Sequence, residues 1–225
     1  MNKILSTHYE QCLAKHGPTY AGMDWPNEKD LDKRFQVMTD VINTNPSKSI
    51  SILDLGCGCG LLLNYIEDNF HHRGSDGQYD RTCDVPNIYY RGIDISHEMI
   101  KAAKDLHPGW GLDFSQQDIL ATPLEEKSID YVIMNGLLTE KLTMSQDEMV
   151  AFAKQMIFAA FDACRYGIAF NVMSAHVDYK RDDLFHLPFD ELMAFLKDNC
   201  SRHVVIRADY GLYEYCVYVY REPNL

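Results

Sequence analysis

Apolar positions along the chain change period near residue 49. Before it, Leu31, Phe35, Met38 and Ile42 recur at the spacing of one helical face, so Met1–Asn45 is predicted to be helical. The stretch His16–Pro26 interrupts it with two glycines and two prolines and is predicted to be a loop between two helices. From Ser49 onward, short apolar runs alternate with amphipathic stretches. Strands are expected at Ile50–Leu55, Ile88–Asp94, Leu112–Gln117, Ile129–Asn135 and Gly167–Met173. Helices are expected at Leu61–Phe70, at Ser96–Leu106, from the capping-box pair Ser145 and Glu148, and around Leu192, Phe195 and Leu196. Two strands, Val204–Arg207 and Tyr213–Tyr220, close the chain, and the short link between them suits an antiparallel hairpin. Strand–helix alternation of this kind predicts an α/β layer with a mostly parallel sheet.

The chemistry concentrates in Asp54-Leu55-Gly56-Cys57-Gly58-Cys59-Gly60, which ends one expected strand and opens a helix. Alternate glycines permit a tight turn and let a ligand approach the backbone, and the helix N-terminus beyond offers free N–H groups. In open α/β sheets, ligands bind at the carboxyl ends of the strands, where this turn falls. A dinucleotide fingerprint places its third glycine at position 61, which is Leu61 here. No Gly-Lys-Ser/Thr follows, so a phosphate-binding P-loop is excluded. Asp94 closes the next strand, where a carboxylate can accept hydrogen bonds from ribose hydroxyls.

The turn Asp-x-Gly-x-Gly-x-Gly resembles motif I of the class I S-adenosylmethionine (SAM)-dependent methyltransferases. The resemblance spans about Ser49 to Arg221 and implies a Rossmann-like, seven-stranded, mostly parallel sheet with an antiparallel last strand, helices on both faces and a helical N-terminal cap. It implies SAM as cofactor and Asp54, Gly56, Cys57, Gly58 and Gly60 as its glycine loop. Asp94 and Ile95 would meet the ribose, Asp118 and Ile119 the adenine, and Asn135 and Gly136 the reactive sulfonium. Gly60 and Asp94 stand 34 positions apart, longer than the ~20 usual in such folds. His71–Pro86 accounts for the excess as a polar insertion. A weaker likeness, in His16-Gly17, Asp24-Trp25, Arg34-Phe35 and Asp209–Glu214, points to small-molecule methyltransferases of bacterial surface-glycan genes. These features divide the chain into a helical cap (1–48) and a SAM-binding domain (49–225) with an insertion at 71–87.

Methyl transfer to a hydroxyl needs alignment, exclusion of water and a general base. His176, after the fifth expected strand, and His16 are the candidate bases. Trp25 is a candidate lid over the cofactor and Arg34 a partner for its carboxylate. Tyr20, Asn171, Tyr179, His186 and Tyr213 are candidates for the acceptor pocket. Each has a plain structural alternative: an ordinary loop histidine, a packed tryptophan, a surface arginine. No metal is expected. Cys57 and Cys59 lack the Cys-x₂₋₄-Cys spacing of zinc sites, and His71, His72, Asp76, Asp80, Cys83 and Asp84 follow no known spacing.

Composition narrows the partners. With 33 Asp+Glu against 21 Lys+Arg the chain carries a net charge of −12 and no basic run, which argues against nucleic acid. No apolar run reaches the ~20 residues of a membrane span. Seven scattered cysteines suit reduced thiols in a cytoplasmic protein. The expected function is a SAM-dependent methyltransferase acting on a small molecule, at a hydroxyl, as a monomer or homodimer. No Asn/Asp-Pro-Pro-Tyr/Phe sequence follows the fourth strand, which lowers nucleobase and glutamine amino groups as acceptors. The alternatives are a non-catalytic SAM-binding or partner protein and a nicotinamide-dependent oxidoreductase.

Overall fold

The computed structural model describes residues 2–43, 49–70, 87–110 and 113–224. The expected insertion and its His/Asp/Cys cluster lie outside the described residues. Helix α1 (Asn2–His16), a 3-10 turn (Ala21–Met23) and α2 (Glu28–Thr39) come first. Strands β1 (Ser49–Leu55), β2 (Asn87–Asp94), β3 (Phe114–Gln116), β4 (Ile129–Met134) and β5 (Cys164–Ser174) alternate with α3 (Leu61–Phe70), α4 (His97–Leu106) and α5 (Gln146–Ala163). Then follow β6 (His186–Leu187), α6 (Phe189–Asn199), β7 (His203–Arg207) and β8 (Glu214–Tyr220).

The sheet runs β3-β2-β1-β4-β5-β8-β7, with β6 paired to β5. Strands β1 to β5 pair in parallel, and β8 is antiparallel to both β5 and β7. The seven-stranded expectation holds along this path. The two-residue β6 is an addition that its short sequence does not announce. It pairs Met173 with His186 and Ser174 with Leu187.

Successive residues of a strand face opposite sides, so β1 feeds two cores. Ile50 and Ile52 join Leu31, Phe35 and Met38 of α2 and Leu62, Leu63 and Ile66 of α3. Leu53 and Leu55 join Met149, Phe152, Met156 and Ile157 of α5 and Leu192 and Leu196 of α6. Both faces are therefore covered by helices, which is why residues 52–55 of β1 and 131–134 of β4 are all buried. Caps fix where the helices start. Ser96 Oγ accepts from Met99 N–H at α4, and Ser145 with Glu148 forms a full capping box at α5. Asn27 accepts from Asp30 N–H at α2.

Candidate active site

At the carboxyl end of β1 the chain turns through three glycines in the left-handed region: Gly56 (φ 80°), Gly58 (φ 54°) and Gly60 (φ 81°). Two of them also lack room for a side chain. A Cβ on Gly58 would stand 2.4 Å from Met23 Sδ, and one on Gly60 would stand 2.8 Å from the Phe114 ring. The turn is tied to β2 because Gly56 N–H and Cys57 N–H both donate to Ile93 C=O, at 2.8 and 3.0 Å. Cys57 and Cys59 are buried, and burial pushes the Cys59 thiol up to about 12.

Asp94, at the end of β2, faces this turn. Its Oδ2 accepts from Gly58 N–H at 3.0 Å and its Oδ1 from Ser96 N–H at 2.8 Å. Each carboxylate oxygen keeps capacity for a further donor. Burial raises the Asp94 carboxyl above its usual range, and the backbone N–H donors oppose that rise. Asp54 lies beneath the loop, 3% exposed, and accepts from the Tyr90 hydroxyl at 2.7 Å. Burial pushes its carboxyl up to about 7 against the Tyr90 hydrogen bond, with nearby Asp94 adding to the rise.

A cleft of about 1110 Å³, its open mouth included, lies over these residues. Asp54, Gly56, Cys57 and Gly58 line its centre; Asp94, Ile95, Asp118 and Ile119 line the β2–β3 side; Trp25, Asn135 and Gly136 line the β4 side. Asp118 Oδ1 accepts from Leu120 N–H at 3.0 Å, which shapes the turn after β3. Asn135 Oδ1 is buried without a hydrogen-bond partner among the described residues. Eleven of the thirteen expected cofactor residues therefore meet at one cleft. Gly60 sits behind the wall, against Phe114 and His107.

Arg34 takes a different place. It is 8% exposed and clamps Glu214, with Nε at 3.0 and 2.9 Å from the two carboxylate oxygens and Nη2 at 2.8 Å from Oε2. Its guanidinium stacks on Trp25 at 4.3 Å. Glu214 also accepts from Asn171 Nδ2 at 2.9 Å, and Asn171 Oδ1 accepts from Gly136 N–H at 2.7 Å. Arg34 and Asn171 thus stand behind the cleft and hold two of its walls, Trp25 and Gly136. A Cβ on Gly136 would meet the Trp25 ring at 2.6 Å, so only a glycine lets Trp25 pack this close.

The expected bases and acceptor residues do not converge on the cleft. His176 is exposed and stacks on Phe189, 5.5 Å between ring centres. His16 is exposed at the end of α1. Tyr179 and Tyr213 are exposed, and Tyr20 lies on the surface of the N-terminal loop. His186 is tied into β6, its Nδ1 2.7 Å from Ser174 C=O. None of them is among the residues that line the cleft. In their place, Leu5 and Tyr9 of α1, Met23, Phe35 and Leu137 line the cleft. Only their position after folding marks them, although Leu5 and Tyr9 stand one helical turn apart.

A cleft at the strand ends where β1 meets β2 and β4, with an acid closing β2 and a lone antiparallel strand at β8, defines the class: a class I SAM-dependent methyltransferase. Residues 46–176 match the family model described as a methyltransferase domain, and the chain belongs to that family. It is 29% identical over 177 residues to the Mycobacterium tuberculosis protein “Putative methyltransferase Rv1506c”, covering 78% of this chain and 95% of that one. It is 28% identical over 134 residues to malonyl-[acyl-carrier protein] O-methyltransferase of Acetivibrio thermocellus, covering 60% of this chain and 39% of that one. The Synechocystis magnesium protoporphyrin IX methyltransferase, solved with bound SAM, superposes with a TM-score of 0.60 at 15% identity, covering 98% and 97% of the two chains. The [4+2]-cyclase SpnF superposes with a TM-score of 0.58 at 17% identity, covering 92% of this chain and 73% of that one. These two likenesses concern the fold. Among the described residues, no helix is long and apolar enough to cross a membrane.

Proposed function

We propose that the cleft binds SAM and that the enzyme methylates a small molecule at oxygen, a hydroxyl being the acceptor group. The carrying observation is the Asp94 carboxylate, fixed by two backbone N–H donors and still able to accept from a ribose diol. The unpartnered Asn135 Oδ1 and the side-chain-free cradle of Gly56 and Gly58 fit the same ligand. In this reading Asp118 and Ile119 hold the adenine, and Asn135 and Gly136 the methionine end. Bound SAM supplies an activated methyl group on a sulfonium. The chain's own residues bind, align and exclude water. Trp25, Met23, Phe35 and Leu137 offer an apolar wall beside Gly136, which suits an acceptor with an apolar body. Residues 1–48 act as its cap. The Acetivibrio relative, named as an O-methyltransferase, supports oxygen as the acceptor atom.

Titration calorimetry tests the cofactor assignment. Asp94→Ala is expected to weaken SAM binding by roughly 10–100-fold, as loss of charge-assisted hydrogen bonds implies. Unchanged affinity removes Asp94 from the site. The second reading is a SAM-binding protein without transferase activity. It is favoured by the absence of histidine from the cleft wall among the described residues. S-adenosylhomocysteine formation with any hydroxyl-bearing acceptor eliminates it.

A further inference from the structure

At the rim of the cleft, four metal-ligating side chains from three separate segments converge. His8 and Cys12 stand one turn apart on α1. Asp24 follows the 3-10 turn and Glu140 lies in the loop after β4. His8 Nε2 is 2.7 Å from Asp24 Oδ2, 3.5 Å from Glu140 Oε2 and 3.9 Å from Cys12 Sγ. The ligand atoms of His8, Cys12 and Asp24 all lie within 4.8 Å of one another. Tetrahedral zinc with ordinary bond lengths separates its nitrogen, oxygen and sulfur ligands by about 3.3–3.6 Å. The distances from His8 Nε2 bracket that range; Glu140 lies outside the mutually close set of three, so its side chain has to swing inward to serve as the fourth ligand.

The segments are held in place for it. Asp24 adopts the left-handed conformation (φ 58°, ψ 25°), and its N–H donates to Ala21 C=O. Glu140 is anchored by a bridge to Leu184, and the preceding Thr139 donates to Gly136 C=O at 2.8 Å. Glu140 Oε2 is buried with no hydrogen-bond partner among the described residues. Two carboxylates and a thiol thus gather around a single imidazole.

We propose that His8, Cys12, Asp24 and Glu140 form a zinc site that pins the N-terminal helix and lid turn to the loop after β4. The mixed nitrogen, sulfur and oxygen donors favour Zn²⁺ over Mg²⁺ or Ca²⁺. Four protein ligands make it a closed, structural site rather than one that activates water. On binding, the Cys12 thiol loses its proton to solvent, the His8 Nε2 proton that donates to Asp24 passes to Nδ1 or, from an imidazolium, to solvent, and the His8–Asp24 hydrogen bond gives way to two metal bonds. Tyr9 and Trp25, each next in sequence to a ligand, line the cleft, so the metal would fix the part of the wall that the chain supplies as a lid. The reading is independent of which acceptor the enzyme uses, and it departs from the metal-free expectation of the sequence.

Cobalt serves as the probe. The full chain, stripped with chelator, is titrated with Co²⁺ alone. The expected result is saturation at one equivalent, with intense visible bands of tetrahedral cobalt and a thiolate-to-metal band in the near ultraviolet, both abolished by added Zn²⁺. Cys12→Ser is expected to remove the thiolate band, and Glu140→Gln to weaken Co²⁺ binding at least tenfold. Circular dichroism matched to the parent confirms that the variants fold, and Asp24→Asn, on the half-exposed turn, provides a further variant. Absence of the thiolate band at one equivalent overturns the proposal. So does a band that persists in Cys12→Ser, since the metal then sits elsewhere and the four groups form only a hydrogen-bonded cluster.

Discussion

Replacing Glu214 by Ala removes the carboxylate that pairs with the buried Arg34 guanidinium. Three contacts of 2.8–3.0 Å are lost, and Arg34 is left 8% exposed with Nη1 already unpartnered. Breaking a buried ion pair from one side costs about 3–5 kcal/mol, because the remaining charge is stranded. For a chain of this length each kcal/mol lowers the melting temperature by about 2–4 °C. Glu214→Ala is therefore expected to melt roughly 10 °C or more below the parent in a calorimetric scan. The double variant Arg34→Met/Glu214→Leu is expected to recover at least half of that loss, since it strands no charge. Asn171 loses its partner in both variants, so SAM affinity should fall in both through the released Gly136. A single variant melting within about 2 °C of the parent would refute the reasoning. A double variant no more stable than the single would refute it equally.

Other expectations follow from the same geometry. Gly58→Ala forces a left-handed alanine against Met23 and should abolish measurable SAM binding by calorimetry; Met23→Ala in the same chain should restore it only in part, because the φ of 54° still costs about 1 kcal/mol. Asp54 binds its proton up to about pH 7 when folded but only to about 4 when unfolded. Native protein thus holds the extra proton between those values, and its stabilising effect is complete below pH 4 and lost as pH rises to 7. Asp54→Asn removes this loss, so its stability relative to the parent should climb from pH 4 to 7 by on the order of a few kcal/mol; a flat difference in chemical denaturation would contradict the buried, raised carboxyl. His176→Ala and His16→Ala should change kcat/KM less than about threefold, and a hundredfold loss in steady-state assays would return either residue to the chemistry.

The elements that follow from local rules were legible in the sequence. The capping residues Ser96 and Ser145, the glycine turn and the apolar β1 and β4 depend on neighbours within a few positions. Ten of the eleven expected cofactor residues that line the cleft were legible for the same reason, since they end or follow strands of the parallel sheet. The supporting shell was not. Arg34 and Glu214 are 180 positions apart, and Tyr90 reaches Asp54 across 36. Nothing in the spacing of an arginine on an amphipathic helix distinguishes one that faces solvent from one that faces a carboxylate on a distant strand. The candidate bases show the converse. A histidine after a strand looks catalytic, yet His176, at the same end of the sheet but two strands from β1, stacks on Phe189 outside the cleft wall. α1 shows few apolar positions, so Leu5 and Tyr9 gave no warning that they would form part of the cleft.

The place of β8 has a consequence for how the molecule is made. This strand inserts between β5 and β7, yet it is the last of the eight to leave the ribosome. Until it arrives, Arg34 has no counter-charge, Asn171 has no acceptor for its amide, and an edge of β5 stands open to any passing strand. Such long-range pairings are slow to form. The active cleft is thus assembled early from local pieces but held in register late, and the interval between the two is when the nascent chain depends most on protection from aggregation.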